Sequence, residues 1–180
     1  EQQMRLFELG GMLHSEMLPV PHTNIDCLDE VRLTNYIKDI LSDPDIPTDQ
    51  TSWQSRLLGL GFLTEASGNI CCTIAGLVLF GKSPRQYFKQ AGLRVMAFNS
   101  VDKEYDATLD DLLDGPMVGR WDTRNGTRQL IDGGIIERFM GAVKPFISQE
   151  AGQIDTSFRR DIQWFYPLEA VREVLLNALA

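Results

Sequence analysis

Proline and glycine punctuation cuts this chain into short periodic segments, and that spacing limits its possible folds more than any other feature. Asp43-Pro44-Asp45-Ile46-Pro47, Ala66-Ser67-Gly68, Asn125-Gly126 and Pro167 all interrupt apolar periodicity. Proline fixes φ and removes an amide donor, and small-polar-glycine clusters favour tight reversals. No apolar run approaches the length needed to cross a bilayer. The segments alternate between helical and strand-like spacing, so the expectation is an α+β fold of mixed helices and short strands. No internal repeat or low-complexity stretch is evident.

In order along the chain, residues 1–28 read as an extended connector, with Leu18-Pro19-Val20-Pro21 biased towards extended backbone. Residues 29–90 read as a small helical, winged-helix-like segment. Asp29 is placed to cap a helix reaching about Leu41, with Leu33, Tyr36, Ile37, Ile40 and Leu41 inward. Thr51 and Gln54 resemble a capping box that opens a second helix ending near Gly59 or Gly61. Phe62–Thr64 and Asn69–Cys72 read as strands of a hairpin. Thr73 then caps a helix from Ile74 to Phe80. Leu93–Phe98 reads as a strand followed by a polar, Asp-rich stretch. Asn125-Gly126 marks a hairpin turn, Gly134 to about Ile147 has helical spacing, and residues 149–163 are loosely strand-like. Pro167 opens a last amphipathic helix, and because no stop signal closes it at Ala180 we expect the natural chain to continue. Because the chain opens on Glu1 without a leader pattern, we also expect residues upstream and a cytoplasmic location.

The chain has 180 residues and is 43% hydrophobic, which is enough for one or two small cores. It carries 17 Lys and Arg against 25 Asp and Glu, a formal net charge of −8. Domains that grip a phosphate backbone usually present a basic face, so this balance argues against DNA binding by this chain itself. Lys82, Arg85 and Lys89, with Arg159 and Arg160, are the local basic groupings, and solvated charge is their plainest explanation. Three cysteines (Cys27, Cys71, Cys72) and two histidines lack zinc-ligand spacing, and the neighbouring Cys71 and Cys72 read as small buried hydrophobes.

Gly76 to Ser83 matches the letters of a phosphate-binding loop, G-x-x-x-x-G-K-[ST]. Its four central residues are bulky and apolar, Pro84 removes an amide from the first turn of the helix that should follow, and no adequate strand leads into Gly76. A packed helix is the favoured reading, which leaves a P-loop NTPase as a disfavoured alternative. In the last helix Glu169, Glu173 and Asn177 fall at i, i+4 and i+8 on one polar stripe, opposite Leu168, Val171, Leu175 and Ala178. The stripe suits solvent. It also suits chemistry, because a Glu can orient or deprotonate a water and an Asn carbonyl can hold Mg²⁺ against phosphates.

The segments from Thr73 to Pro84 and from Tyr166 to Ala178 resemble a bacterial and archaeal family of transcriptional regulators, also described as RecG-related or divergent AAA proteins. The family pattern is T-x-A-G-x-L-L-F-G-K-x-P and later Y-P-x-x-A-x-R-E-x-x-x-N-A, followed by H-R-D-Y. In such proteins a Schlafen-type AlbA domain precedes this region, a GHKL-like ATP-binding region begins at the R-E-x-x-x-N-A helix, and a winged helix often follows. The resemblance implies that residues 91–180 are the N-terminal part of a truncated GHKL-like module. It implies Glu173 as the catalytic, water-activating residue and Asn177 as the cofactor-binding and metal position. ATP and Mg²⁺ are implied for the parent protein and none for this stretch. DNA would be bound through another domain, no membrane is involved, and homo-oligomerisation stays open. Arg172 belongs to the motif without an assigned role. Ala180 precedes the family's H-R-D-Y and its glycine-rich elements, so we expect an internal fragment without complete activity. The rival reading is a non-catalytic winged-helix-like module that binds DNA or a protein.

Overall fold

The computed structural model describes residues 14–99, 106–124, 126–154 and 160–179. Among the described residues the architecture is α+β, with helices and four two-stranded antiparallel sheets. The residues divide into two compact units. One comprises the chain up to Ala91 together with Gly115–Gly134, and the other Gly92–Asp114 together with Ile135 onward. The chain therefore passes three times between units, each time at a glycine: Gly92, Gly115 and Gly134. Gly92 and Gly115 have φ of 144° and 108°, values that L side chains rarely adopt.

The first unit opens with a strap, residues 14–28, that contains two 3₁₀ turns. Its backbone is hydrogen-bonded to elements far along the chain: Val20 N donates to Cys72 O at 2.9 Å and Lys82 N to Cys27 O at 2.9 Å. Helix α1 spans Glu30–Asn35 and continues as a π-helical turn, Tyr36–Ile40. Asp29 caps it by accepting from the amides of Val31 and Arg32. The wider π turn changes the helical phase, so Leu33 and Ile37 are buried as anticipated whereas Ile40 and Leu41 face solvent.

Helix α2 spans Gln50–Gly59 and is capped by Asp49, whose side chain accepts from Ser52, and not by the Thr51–Gln54 box. A carboxylate already stands two residues earlier and satisfies the first turn. Strands β1 (Leu63–Ala66) and β2 (Asn69–Cys72) form the expected hairpin, with Ser67 and Gly68 at positive φ in its turn. Thr73 caps helix α3, Ile74–Phe80, through a bond from Gly76 N to its Oγ1 at 3.1 Å. The core gathers Leu33, Ile37, Trp53, Leu57, Leu77 and Phe80. At its centre Tyr36, Phe62 and Phe80 meet edge to face, with centroids 4.9–5.6 Å apart.

Strands β3 (Leu93–Ala97) and β4 (Leu109–Leu113) pair in the second unit. β4 lies within the Asp-rich stretch that had no expected strand. Strands β5 (Arg120–Arg124) and β6 (Thr127–Asp132) form the hairpin that belongs to the first unit; Asn125 of its turn lies outside the described residues. Arg32 ties this hairpin to α1. It is 5% exposed and donates to Asp29 Oδ2 at 2.6 Å, to Asp132 Oδ2 at 2.6 Å and to Val118 O at 2.9 Å. Asn35 adds a bond from Trp121 N to its Oδ1 at 2.9 Å.

The rest of the second unit is helix α4 (Ile135–Ile147), the hairpin β7 (Ser148–Ile154) with β8 (Arg160–Trp164), and helix α5 (Leu168–Leu179). Its core is Val95, Leu113 and Ile135, with Leu93, Leu109, Phe139, Val143 and Leu179 packed around them. No helix among the described residues is long and apolar enough to cross a membrane.

Candidate functional site

Helix α5 carries the polar stripe. Pro167 precedes its first residue and Val171 N bonds back to Pro167 O at 3.2 Å, closing the first turn. Leu175 is buried, and Val171, Leu176 and Leu179 are half-buried beside it. The helix is thus seated through positions 171, 175 and 179, while Leu168 and Ala178, expected inward, are exposed. An end residue such as Leu168 has no preceding turn to shield it.

Glu169, Glu173 and Asn177 are all exposed. The i, i+4 relation sets Glu173 and Asn177 one turn apart, about 6 Å along the axis at 1.5 Å per residue. Among the described residues, no hydrogen bond or ion pair holds either side chain. Large apolar side chains stand in solvent on the same helix and the chain leading to it: Phe165, Tyr166, Leu168, and Val174 at 68%. Among the described residues, no group of three or more His, Cys, Asp or Glu is arranged to hold a metal ion. Asn177 could contribute a single carbonyl oxygen. Mg²⁺ commonly keeps several waters and takes substrate phosphates with only one or two protein ligands, so a lone Asn fits as part of such a set.

The residues with phosphate-loop lettering lie elsewhere. Gly76 is inside α3, and a Cβ there would collide with the Phe62 carbonyl. The amides of Gly76, Leu77 and Gly81 bond to Thr73 Oγ1, Thr73 O and Leu77 O. The Lys82 ammonium donates to Asp26 O at 2.9 Å. These groups serve helix packing and capping. Of the basic groupings, Lys82, Arg85 and Lys89 are exposed around the turn after α3. Arg160 opens β8, and Arg159 lies outside the described residues.

A surface that sequence reasoning missed surrounds the start of α2. A cleft of about 310 Å³ is lined by Asp26, Glu30, Asp49, Gln50, Trp53 and Lys82 among others. A broader one of about 750 Å³ lies along Asp45, Thr48, Thr51, Ser52, Ser55 and Arg56. Hydrogen bonds from the Ser52 hydroxyl and amide hold the Asp49 carboxyl below its ordinary range. Arg56 is engaged by Asp43. The lining of the first cleft runs from Ile25 to Lys82, so no local spacing could reveal it, whereas the second is built within Asp45–Leu60. Comparison of the chain with protein-family models, with curated proteins and with solved structures returned no match.

Proposed function

We propose that this chain is part of a transcriptional regulator in which α5 forms one wall of a Mg²⁺–ATP site of GHKL type. The observation that carries the reading is the placement of Glu173 and Asn177. They are one turn apart, exposed, and set on a helix anchored through its opposite face by Leu175. In this reading Asn177 would hold the metal through its side-chain carbonyl, and the metal would neutralise phosphate charge when bound. The Glu173 carboxylate would position a water and take its proton. Both side chains sit on a rigid helix, which fixes their separation before a nucleotide arrives. The exposed Phe165, Tyr166, Leu168 and Val174 support the same reading, because the rest of such a module needs an apolar seat. DNA contact is assigned to another domain of the parent, consistent with the net charge of −8.

The test is calorimetric titration with ATP and Mg²⁺ of this chain extended by about one hundred residues of its parent, a typical domain increment. Binding is expected in the extended protein and weakened at least tenfold by Asn177→Ala. Glu173→Ala should retain binding and lose any turnover. An extended protein that ignores Mg²⁺–ATP refutes the assignment.

A second reading, a non-catalytic winged-helix-like module, is favoured by one observation. Helix α2 runs into hairpin β1–β2, and the strap pairs beside that hairpin through Pro19 and Thr73. Asp45 and Asp49 lie at the start of α2, and that charge favours a protein over a phosphate backbone as partner. A salt-sensitive gel shift with this chain would reverse that preference.

A further inference from the structure

The strap and β2 bring two thiols onto one residue. Cys72 Sγ donates to the main-chain carbonyl of Asn24 at 3.0 Å, and Cys27 Sγ donates to the side-chain carbonyl of the same Asn24 at 3.6 Å. Asn24 is thus bracketed by both sulfurs, although the cysteines are far apart in sequence. Their surroundings differ. Cys72 is fully buried, whereas Cys27 is half-buried and shares a hydrogen bond with Tyr87 Oη at 3.3 Å. Cys71, next to Cys72 on the strand, has its side chain on the opposite face and its sulfur against Asn69 O at 3.7 Å. It lines a separate cleft with Pro19, His22 and Ser67.

We propose that Cys27 and Cys72 are a modification site for low-molecular-weight disulfides of the glutathione class, and that they close into a reversible disulfide fastening the strap to β2. The two sulfurs play different parts. Cys27 is the one a small disulfide RSSR can reach. Its thiolate attacks one sulfur of RSSR, the S–S bond breaks, and the departing RS⁻ takes up the proton Cys27 gave to solvent, leaving as RSH. The Cys72 sulfur then attacks the Cys27 sulfur of the mixed disulfide and expels the second RS⁻, which leaves as RSH with the Cys72 proton. Two protein thiols are oxidised and one RSSR is reduced to two RSH. Burial pushes the Cys72 thiol up to about 12, so it is a poor first attacker and waits for Cys27. Hydrogen bonding to Cys27, with burial adding to it, likewise pushes the Tyr87 phenol up, as befits a hydroxyl that stays protonated beside the reacting sulfur.

The closed ring would span about 45 residues, including α1, α2 and the β1–β2 hairpin, and a cross-link of that length removes substantial freedom from the unfolded chain. The strap is at present held to β2 without a covalent link, by core packing of Val20 and Leu28 and by hydrogen bonds, among them Val20 N to Cys72 O and Cys72 N to Thr23 Oγ1, both 2.9 Å. Oxidation would turn this seam covalent without adding a group to the surface.

The experiment is incubation of the chain with oxidised glutathione, then alkylation of remaining thiols, digestion and mass spectrometry, with thermal unfolding measured in parallel. The expected result is a Cys27–Cys72 cross-linked peptide, Cys71 still alkylated, reversal by dithiothreitol, and an unfolding midpoint raised by about 5 °C or more. Cys72→Ala should accumulate the mixed disulfide on Cys27, and Cys27→Ser should protect Cys72 from reaction. A wild-type protein that keeps a stable mixed disulfide on Cys27, that cross-links through Cys71, or that leaves all three thiols free overturns the proposal.

Discussion

The two units solve the problem of burying a core very differently. The first packs aromatic and aliphatic side chains from α1, α2, α3 and the β1–β2 hairpin around one centre, and then adds a buried guanidinium that holds a distant hairpin in place. The second centres on Val95, Leu113 and Ile135 and leaves Phe146, Ile162, Phe165, Tyr166, Leu168 and Val174 substantially exposed. Apolar area removed from water is the main favourable term in folding, so the first unit should carry more of the stability. The second has the surface left over to receive something else. A region that must accept a ligand or partner is commonly drawn from the less stable part of a molecule.

Three measurements can break or sharpen this contrast. The largest effect is expected from Phe80→Ala, which empties the centre of the first core and should cost about 3–5 kcal/mol. Urea unfolding followed at Trp53 checks it. If the second unit, reported by Trp164, proves the more resistant to urea in the unaltered protein, the contrast fails. Arg32→Leu should come next, at about 2–3 kcal/mol. It leaves Asp29 Oδ2 and the Val118 carbonyl without the guanidinium donor, but Asp132 is 57% exposed on its side chain and is rehydrated. Amide exchange should quicken across β5–β6 and stay unchanged in β1–β2; unaltered exchange in both would show that Arg32 does not hold the hairpin. The smallest effect concerns alkaline pH. The Cys72 thiol is raised from 9.0 to about 12 by burial, so the folded state retains its proton where the unfolded chain releases it. The stability this provides is full below pH 9 and is lost as pH rises from 9 towards 12. Cys72→Ala should flatten the fall in unfolding midpoint over that window, and an unchanged slope would place the alkaline sensitivity elsewhere.

Much of the local structure was legible because its causes are local. Thr73 caps α3 through a bond to the amide three residues on, and the Ser67-Gly68 turn needs only two residues able to take positive φ. Two competitions between neighbouring options went the other way: Asp49 displaced Thr51 as the cap of α2, and a π turn rotated Ile40 and Leu41 outward. β4 escaped notice because Asp110 and Asp111 are poor strand formers in isolation. What helps it pair is Arg94 on the facing strand, whose guanidinium bonds Asp110 at 2.7 and 2.8 Å. The stripe of Glu173 and Asn177 was readable from helical periodicity, but which apolar residues seat α5 was not, because that depends on the rest of the unit. Nothing near Arg32 foretold Asp132, which lies a hundred residues away. The convergence of Cys27 and Cys72 on Asn24 was equally invisible, being set by the path of the strap.

The way the first unit is assembled from two separated stretches of chain has a practical consequence for anyone dissecting the gene. No single cut yields either unit whole. Truncation after Ala91 would keep α1 and the Asp29–Arg32 pair but discard Asp132 and Val118, two of the three partners of that guanidinium. Starting at Gly92 would drag along an orphaned hairpin with nothing to hold it. Grafting Gly115–Gly134 back through a short linker, so that Arg32 keeps Asp132 and Val118, is the sounder route to an isolated piece.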